Sequence, residues 1–456
     1  MSKLHWLWHE LTRPRGSVSH RFYRVGRGSR SGVALLIVIT SVMFLTIIGA
    51  EITGTATVRM RLAANQRDEA MAEALAYTGL GFYRLILVTA NGLDGKIGSQ
   101  SGEVQTMLKQ FGVSGDMLWQ MVPFINTNLL RMIFVSGGDL DDDEKAELEE
   151  KGLTDEEREE SREGSSSNSK PGFMDFEGDF FAEVTDETRR INVREIRGAN
   201  VQDLQNHPAA IQLIGLMTGT QTCAAIRGGH QASYEDTEDN TQFFRDRDLE
   251  PLELVGNLAD WVDKDSTRAY MGGDENSLYD RLEDPYKTKN APFDSLEEVR
   301  LVDGWHRDDV WERYGEQITV YGEHAKVNVN SAECEVLWAL LKSYTSPPPA
   351  DFTVDQCIRA IENYRQVVPF SNEDAFVNFL GGEVQIPQDP TGGAPREGSC
   401  ELKATPQLKQ NITTKTKVFR VTSVGEVGES KVSIEAVFDF SDKRNVEGKI
   451  LYWRID

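Results

Sequence analysis

Carboxylates crowd one short stretch of this chain. Asp260, Asp263, Asp265, Asp274, Glu275 and Asp280 fall close together, and Gly272-Gly273 between them lets the backbone turn tightly. Hard oxygen donors at this density suit calcium, which takes six to eight of them at ~2.4 Å and tolerates irregular geometry. Without a cation the same groups would repel one another. Asp263, Asp265, Asp274 and Glu275 are the expected ligands, with Asn276 able to offer a neutral amide oxygen. The competing reading is an acidic, solvent-facing loop capped by Asp260 and Ser266. A second acidic stretch places Asp139, Asp141, Asp143 and Glu150 as in an EF-hand loop, but Glu144 stands where the sharp turn needs glycine. It reads as an acidic linker.

Enzyme chemistry has little to work with. The seven histidines are scattered, and no HExxH, CxxC or GxSxG occurs. Gly79-Leu80-Gly81 lacks both the third glycine and the preceding strand of a dinucleotide fingerprint. A non-enzymatic protein is expected. The four cysteines, Cys223, Cys334, Cys357 and Cys400, lie far apart without metal-type spacing. In an exported chain they allow two disulfides in three connectivities. Cys334–Cys357 is the favoured pair because both fall in one compact helical region, and buried free thiols are the alternative.

The elements that must position these groups begin with an apolar run, residues 33–50, that carries no charge. Its length is about that of a helix crossing a ~30 Å hydrocarbon core. Ahead of it, Lys3 and six arginines stand against Glu10, which by the positive-inside rule keeps that end in the cytoplasm. Everything beyond is then exported. The chain's net charge of −24 repels nucleic acid and favours basic partners or divalent cations. Helical periodicity continues past the run with Met60, Leu62, Ala63, Ala70, Met71, Ala74, Leu75 and Leu80 near one side. The whole helix would be on the order of 80 Å long.

Further along, apolar spacing predicts a helix within residues 102–135. A nearly apolar-free acidic segment at 136–171 reads as a solvated insertion. Alternation then predicts a hairpin over residues 175–193, turning around Thr185-Asp186-Glu187-Thr188. Helices and loops fill residues 199–411. Three alternating segments, 418–424, 431–439 and 449–455, close the chain as an antiparallel meander. Strands, a large helical insertion and more strands make an α+β fold whose sheet is completed across the insertion. Within it, residues 327–380 resemble helix–hairpin–helix repeats, but the turn Ser346-Pro347-Pro348-Pro349-Ala350-Asp351 is acidic and lacks glycine. Protein contacts suit it better than DNA phosphates.

Two sets of residues carry a family resemblance. Gly32 followed by Val33-Ala34-Leu35-Leu36, behind a basic small-residue boundary, resembles a prepilin-peptidase site, with an uncut signal anchor as the alternative. The leader of 32 residues is long for such a site. Ala259-Asp260-Trp261-Val262-Asp263-Lys264-Asp265, the Gly-Gly-Asp-Glu-Asn turn before Tyr279, Asn290-Ala291-Pro292, the helix start at Ser295 and Val327-Asn328-Val329-Asn330 resemble, in order, minor pseudopilin K of type II secretion. Most pilins carry glutamate at the fifth mature position; here it is Ile37, the apolar residue typical of the K proteins. The resemblance implies a leader (1–32), a transmembrane helix (33–52), a helical stem and following helix (53–135), the acidic insertion (136–171), pseudopilin strands (172–198), the insertion domain (199–411) and C-terminal strands (412–456). It also implies calcium in the helical domain, cleavage between Gly32 and Val33 with methylation, and an inner-membrane anchor with a periplasmic head. The implied partners are the I and J minor pseudopilins, possibly H, and the prepilin peptidase, with no nucleic acid; the implied role is capping the pseudopilus tip. Rival readings are a minor pilin of a type IV pilus and a membrane-anchored DNA-binding protein.

Overall fold

The structure is a computed structural model that describes residues 30–94, 119, 123–130, 178–219, 223, 239–322, 326–383, 400–442 and 444–456. In chain order the elements are helix α1 (Arg30–Asp94) and strands β1 (Phe124–Asn126), β2 (Asp179–Asp186) and β3 (Ile191–Asn192). Helices α2 (Val201–Leu204), α3 (Pro208–Leu216), α4 (Asn240–Asp246), α5 (Pro251–Val262) and α6 (Asp308–Tyr314) follow. Next come β4 (Ile318–Thr319), β5 (Val327–Asn328), α7 (Cys334–Tyr344), α8 (Asp351–Arg365), α9 (Glu373–Leu380) and α10 (Pro406–Asn411). Strands β6 (Ile412–Thr413), β7 (Val418–Val427), β8 (Ser430–Asp439) and β9 (Lys449–Ile455) complete it.

Two compact units divide the chain at Gln66. In the first, every described side chain of α1 from Val33 onward is exposed, Phe44 at 68% and Leu45 at 69% among them. The helix there is long and apolar enough to cross a membrane and fits a single-pass anchor.

In the second unit α1 becomes a packed helix. Ala72, Leu75, Ala76, Leu80, Tyr83, Leu87 and Ala90 are buried at spacings of three and four, one face of a helix. All but Ala90 share a core with Phe180, Ala182, Val421, Ile434 and Ala436 of a five-stranded antiparallel sheet ordered β1-β2-β7-β8-β9. The approach is close enough to demand glycine. A Cβ on Gly425 would lie 2.0 Å from the carbonyl oxygen of Ala72, and one on Gly79 would lie 2.4 Å from Ser423 Oγ. Of the expected apolar stripe only Leu75 and Leu80 are buried; Ala70, Met71 and Ala74 stay exposed because the sheet meets a different arc of the helix, and Met60, Leu62 and Ala63 fall in the first unit, where the helix is exposed all round.

The meander of β7, β8 and β9 forms as alternation predicts, and β2 pairs with β7 across the whole insertion. Other expectations are corrected. Residues 124–126 lie in a strand at the sheet edge, not in a helix. The hairpin does not form: β2 ends in a 3-10 turn at Glu187–Arg189, and β3 leaves to pair in parallel with β4. Turn polarity explains this. Asp186 Oδ1 caps the turn, and Asp186 Oδ2 accepts from Asn328 Nδ2 (2.7 Å), Ser331 Oγ (2.5 Å) and Thr416 Oγ1 (2.7 Å), drawing the chain into the helical part. The acidic insertion and the EF-hand-like residues 139–150 lie outside the described residues, as does the leader up to Ser29.

Helices α3 and α7 pack on each other around Leu213, Leu216, Leu337 and Trp338. The disulfides join Cys223 to Cys334 and Cys357 to Cys400, correcting the expected Cys334–Cys357 pair. Cys334 opens α7 and Cys357 sits in the middle of α8, so neighbouring helices carry them toward different segments.

Candidate metal centre

The acidic loop starts inside a helix. Asp260 and Asp263 are three residues apart at the end of α5, hence on one side of it. Val262 is the last helical residue, and Asp263 turns to an extended conformation that throws the chain outward. The loop then folds back on itself: the Arg268 amide donates to the Gly273 carbonyl at 2.9 Å, and the Glu275 amide to the Ser266 carbonyl at 3.3 Å. Met271, Gly272 and Gly273 make the reversal with positive φ angles of 64°, 66° and 97°. Two glycines adopt this region freely; Met271, 81% exposed, is held there by the bonds on either side.

This return carries Glu275 under the loop, where it is fully buried at the start of a 3-10 helix. Carboxylate oxygens of Asp263, Asp265 and Glu275 come within 4.8 Å of one another. Asp260 borders the group; its Oδ1 accepts from the Ala269 amide at 2.8 Å. Four buried oxygens find no hydrogen-bond partner among the described residues: Asp260 Oδ2, both of Asp263, and Glu275 Oε1. The amides of Asp265 and Gly198 ease the charge on Asp263 without completing a bond to it.

The electrostatics follow from this crowding. Burial, then the charges of Asp260, Asp263 and Asp265, push the Glu275 carboxyl up to about 8. Burial also raises Asp260 to about 7, and burial with the Asp265 charge raises Asp263. Arg268, a basic residue of the loop, is turned to Glu253 at 3.0 Å. Orphaned carboxylate oxygens at one point are what a divalent cation requires, and a donor set of oxygen alone, without His or Cys, selects a hard ion.

Three of the four expected ligands therefore come together, and Asp274 is not one of that group. It caps the 3-10 helix instead, its Oδ1 accepting from the Asn276 amide at 3.0 Å. The Asn276 side-chain oxygen is turned to the Thr288 amide, away from a ligand role. Asp260 was the residue undervalued by sequence; its signal is the three-residue step to Asp263 at a helix end. Gly32 and Val33 lie in the first turn of α1, and Ile37 is 58% exposed on the same helix.

Residues 190–323, which contain the whole acidic loop, match the family described as Type II secretion system (T2SS), protein K. The resemblance to the type II secretion K family is borne out. Type II secretion system protein K of Aeromonas hydrophila is 24% identical over 196 residues, 42% of this chain. The chain spans about half the length of that relative, 51%. The GspK-GspI-GspJ complex from enterotoxigenic Escherichia coli holds a chain that is 14% identical, with 63% of this chain and 84% of that one covered at a TM-score of 0.39. That likeness is too slight to carry an argument about contacts.

Proposed function

We propose that this protein is a minor pseudopilin of a type II secretion system, held in the inner membrane by α1 with its acidic head in the periplasm. The observation that carries the reading is the K-family match over residues 190–323, set in a chain whose α1 passes from an apolar, exposed stretch into the face of a pseudopilin-type sheet. Cleavage between Gly32 and Val33 would leave a mature chain that begins with this helix. Met60, Leu62, Met71 and their neighbours, exposed at 78%, 57% and 39%, would then lie against partner helices; at ~25 cal/mol per Å² a few hundred Å² of such surface is worth several kcal/mol. Ile37 suits a subunit with no charged partner to match in lipid, and a bulky helical domain suits one that caps a filament. The I and J minor pseudopilins are the proposed neighbours.

Calcium at the acidic loop belongs to the same reading. Asp263, Asp265 and Glu275 would hold it with Asp260 behind them, and the ion would supply the positive charge that their oxygens lack. Its role is structural: it ties the end of α5 to the start of the 3-10 helix.

N-terminal sequencing of the membrane-extracted protein, with and without the prepilin peptidase, tests the processing step; a mature chain beginning at Val33 is expected only with the enzyme. Co-purification with the I and J proteins tests the assembly. Replacing Met60, Leu62 and Met71 together by Ser should weaken it at least tenfold, and undiminished recovery would remove the stem from the proposal.

A further inference from the structure

Basic side chains gather at one cavity of this acidic protein. Two short parallel ladders, β3 with β4 and β5 with β6, bring four chain segments side by side. Arg194 lies just beyond β3, Gly322 follows β4, Lys326 leads into β5 and Asn411 leads into β6. Together they line a cavity of about 310 Å³. Gly322, at φ 101°, turns the chain away from β4. Asn192 fixes the rim: its Nδ2 donates to the carbonyls of Tyr321 (3.0 Å) and Gly322 (3.2 Å), and its Oδ1 accepts from the Arg194 amide at 2.9 Å.

The charge balance of this wall is opposite to that of the protein. Among the described residues of the lining, Arg194, Arg197 and Lys326 stand against Glu195, so three positive charges against one leave two in excess, on a chain of −24. Arg197 pairs with Glu195 at 3.2 Å. Among the described residues the Arg194 guanidinium and the Lys326 ammonium have no hydrogen bond or ion pair; Asp294, which feels Arg194, is bonded to Lys289 at 2.8 Å. His207 in the same wall registers the field: burial first, then the charge of Arg197, push its imidazole below the usual value, and its buried Nδ1 has no hydrogen-bond partner among the described residues. Backbone dipoles do not explain the excess. The cavity is bordered by the start of α3 at Pro208 and by the last residues of α10, ends of opposite partial charge.

We propose that this cavity is a carboxylate-binding site that receives an acidic side chain or chain end from a protein partner. A planar guanidinium fork matches a carboxylate in two bonds, and a lysine beside it adds a second positive charge. Glu195 in the wall penalises a dianion more than a single carboxylate. Apart from Pro208 and Gly322 the lining residues all carry polar or charged side chains, so the cavity suits a charged group better than an apolar ligand body. The site lies outside the acidic loop and needs neither calcium nor the secretion reading.

Calorimetric titration of the detergent-purified full chain with a triglutamate peptide at low salt tests this, with trilysine and sulfate as comparison probes. Saturable binding of triglutamate is expected, with sulfate weaker and trilysine not competing for the site. Arg194→Gln and Lys326→Gln should each weaken triglutamate about tenfold, the scale of one charged hydrogen bond. Arg444→Gln, in an exposed loop, should bind as the unaltered protein does. Lys326 is exposed, so its variant should fold even where the Arg194 variant does not. Absence of saturable binding, equal affinity in the Lys326 variant, or sulfate binding tighter than triglutamate would each overturn the assignment.

Discussion

Glu275 and Glu187 are both buried completely, yet their surroundings push them in opposite directions. Around Glu275 burial and the charges of Asp260, Asp263 and Asp265 outweigh one long bond from Thr288 Oγ1 at 3.4 Å, and its pKa rises. Burial alone would raise Glu187 too, but Arg420 and Arg190 overcome it and hold the carboxyl at about 2. Arg420 donates to both Glu187 oxygens at 2.8 and 2.9 Å and also reaches Glu435, while Thr319 Oγ1 adds a bond of 2.6 Å. Two predictions separate the cases. Glu275→Gln should make the chelator-treated protein more heat-stable than the unaltered one while abolishing its response to calcium; unaltered protein at calcium one hundredfold above its Kd should gain about 2.7 kcal/mol. A thermal melt with and without chelator reads both. For Glu187 the folded value lies below the ordinary 4.5, so its stabilising effect is complete above that pH and is lost as pH falls toward about 2. Neighbouring Asp186, raised by burial despite its hydrogen bonds, works against that loss. Glu187→Gln should cost about 3–5 kcal/mol at neutral pH by leaving Arg420 and Arg190 underpaired, and should flatten the decline below pH 4.5 in urea titrations.

Elements with a strong period were legible and those without one were not. Strand β8 buries alternate residues from Val432 to Ala436, and both it and β7 follow the alternation written in their residues. Strand β1 sits amid Met117, Leu118, Met121, Leu129 and Leu130, whose spacing reads as helix; only pairing with β2 makes it a strand. Strands β3 to β6 are two residues each, too short to show any period, and their parallel partners lie far along the chain. The acidic loop was legible as a cluster because its members are close in sequence. Which carboxylates turn inward depended on the end of α5 and the reversal at Met271, and neither shows in composition. At this scale the contact between α1 and the sheet is the most exacting. Gly425→Ala places a methyl against the Ala72 backbone, which cannot rotate aside as a side chain could. It should destabilise the protein by about 1–3 kcal/mol or more, read as a lowered urea midpoint; an unchanged midpoint would mean that α1 does not pack there.

The second unit is held together by links between distant parts of the chain: β2 to β7 through the sheet, Asp186 to Asn328, Ser331 and Thr416 through side chains, and two disulfides. Replacing Cys223 and Cys334 together by Ser should cost about 2–5 kcal/mol, at the upper part of the range because that bond closes a span of 111 residues. The comparison is a melt of the double variant against unaltered protein under oxidising conditions. Pairing of first cysteine with second and third with fourth has its own meaning if, as the proposed function requires, the chain is threaded tail-last through a membrane. As each thiol emerges, its proper mate is the one already waiting or the next to arrive, and no bond must remain open while another pair passes. Simple oxidation in order of arrival would then give the native connectivity, and maturation of such a chain should need a thiol oxidase and no reshuffling isomerase.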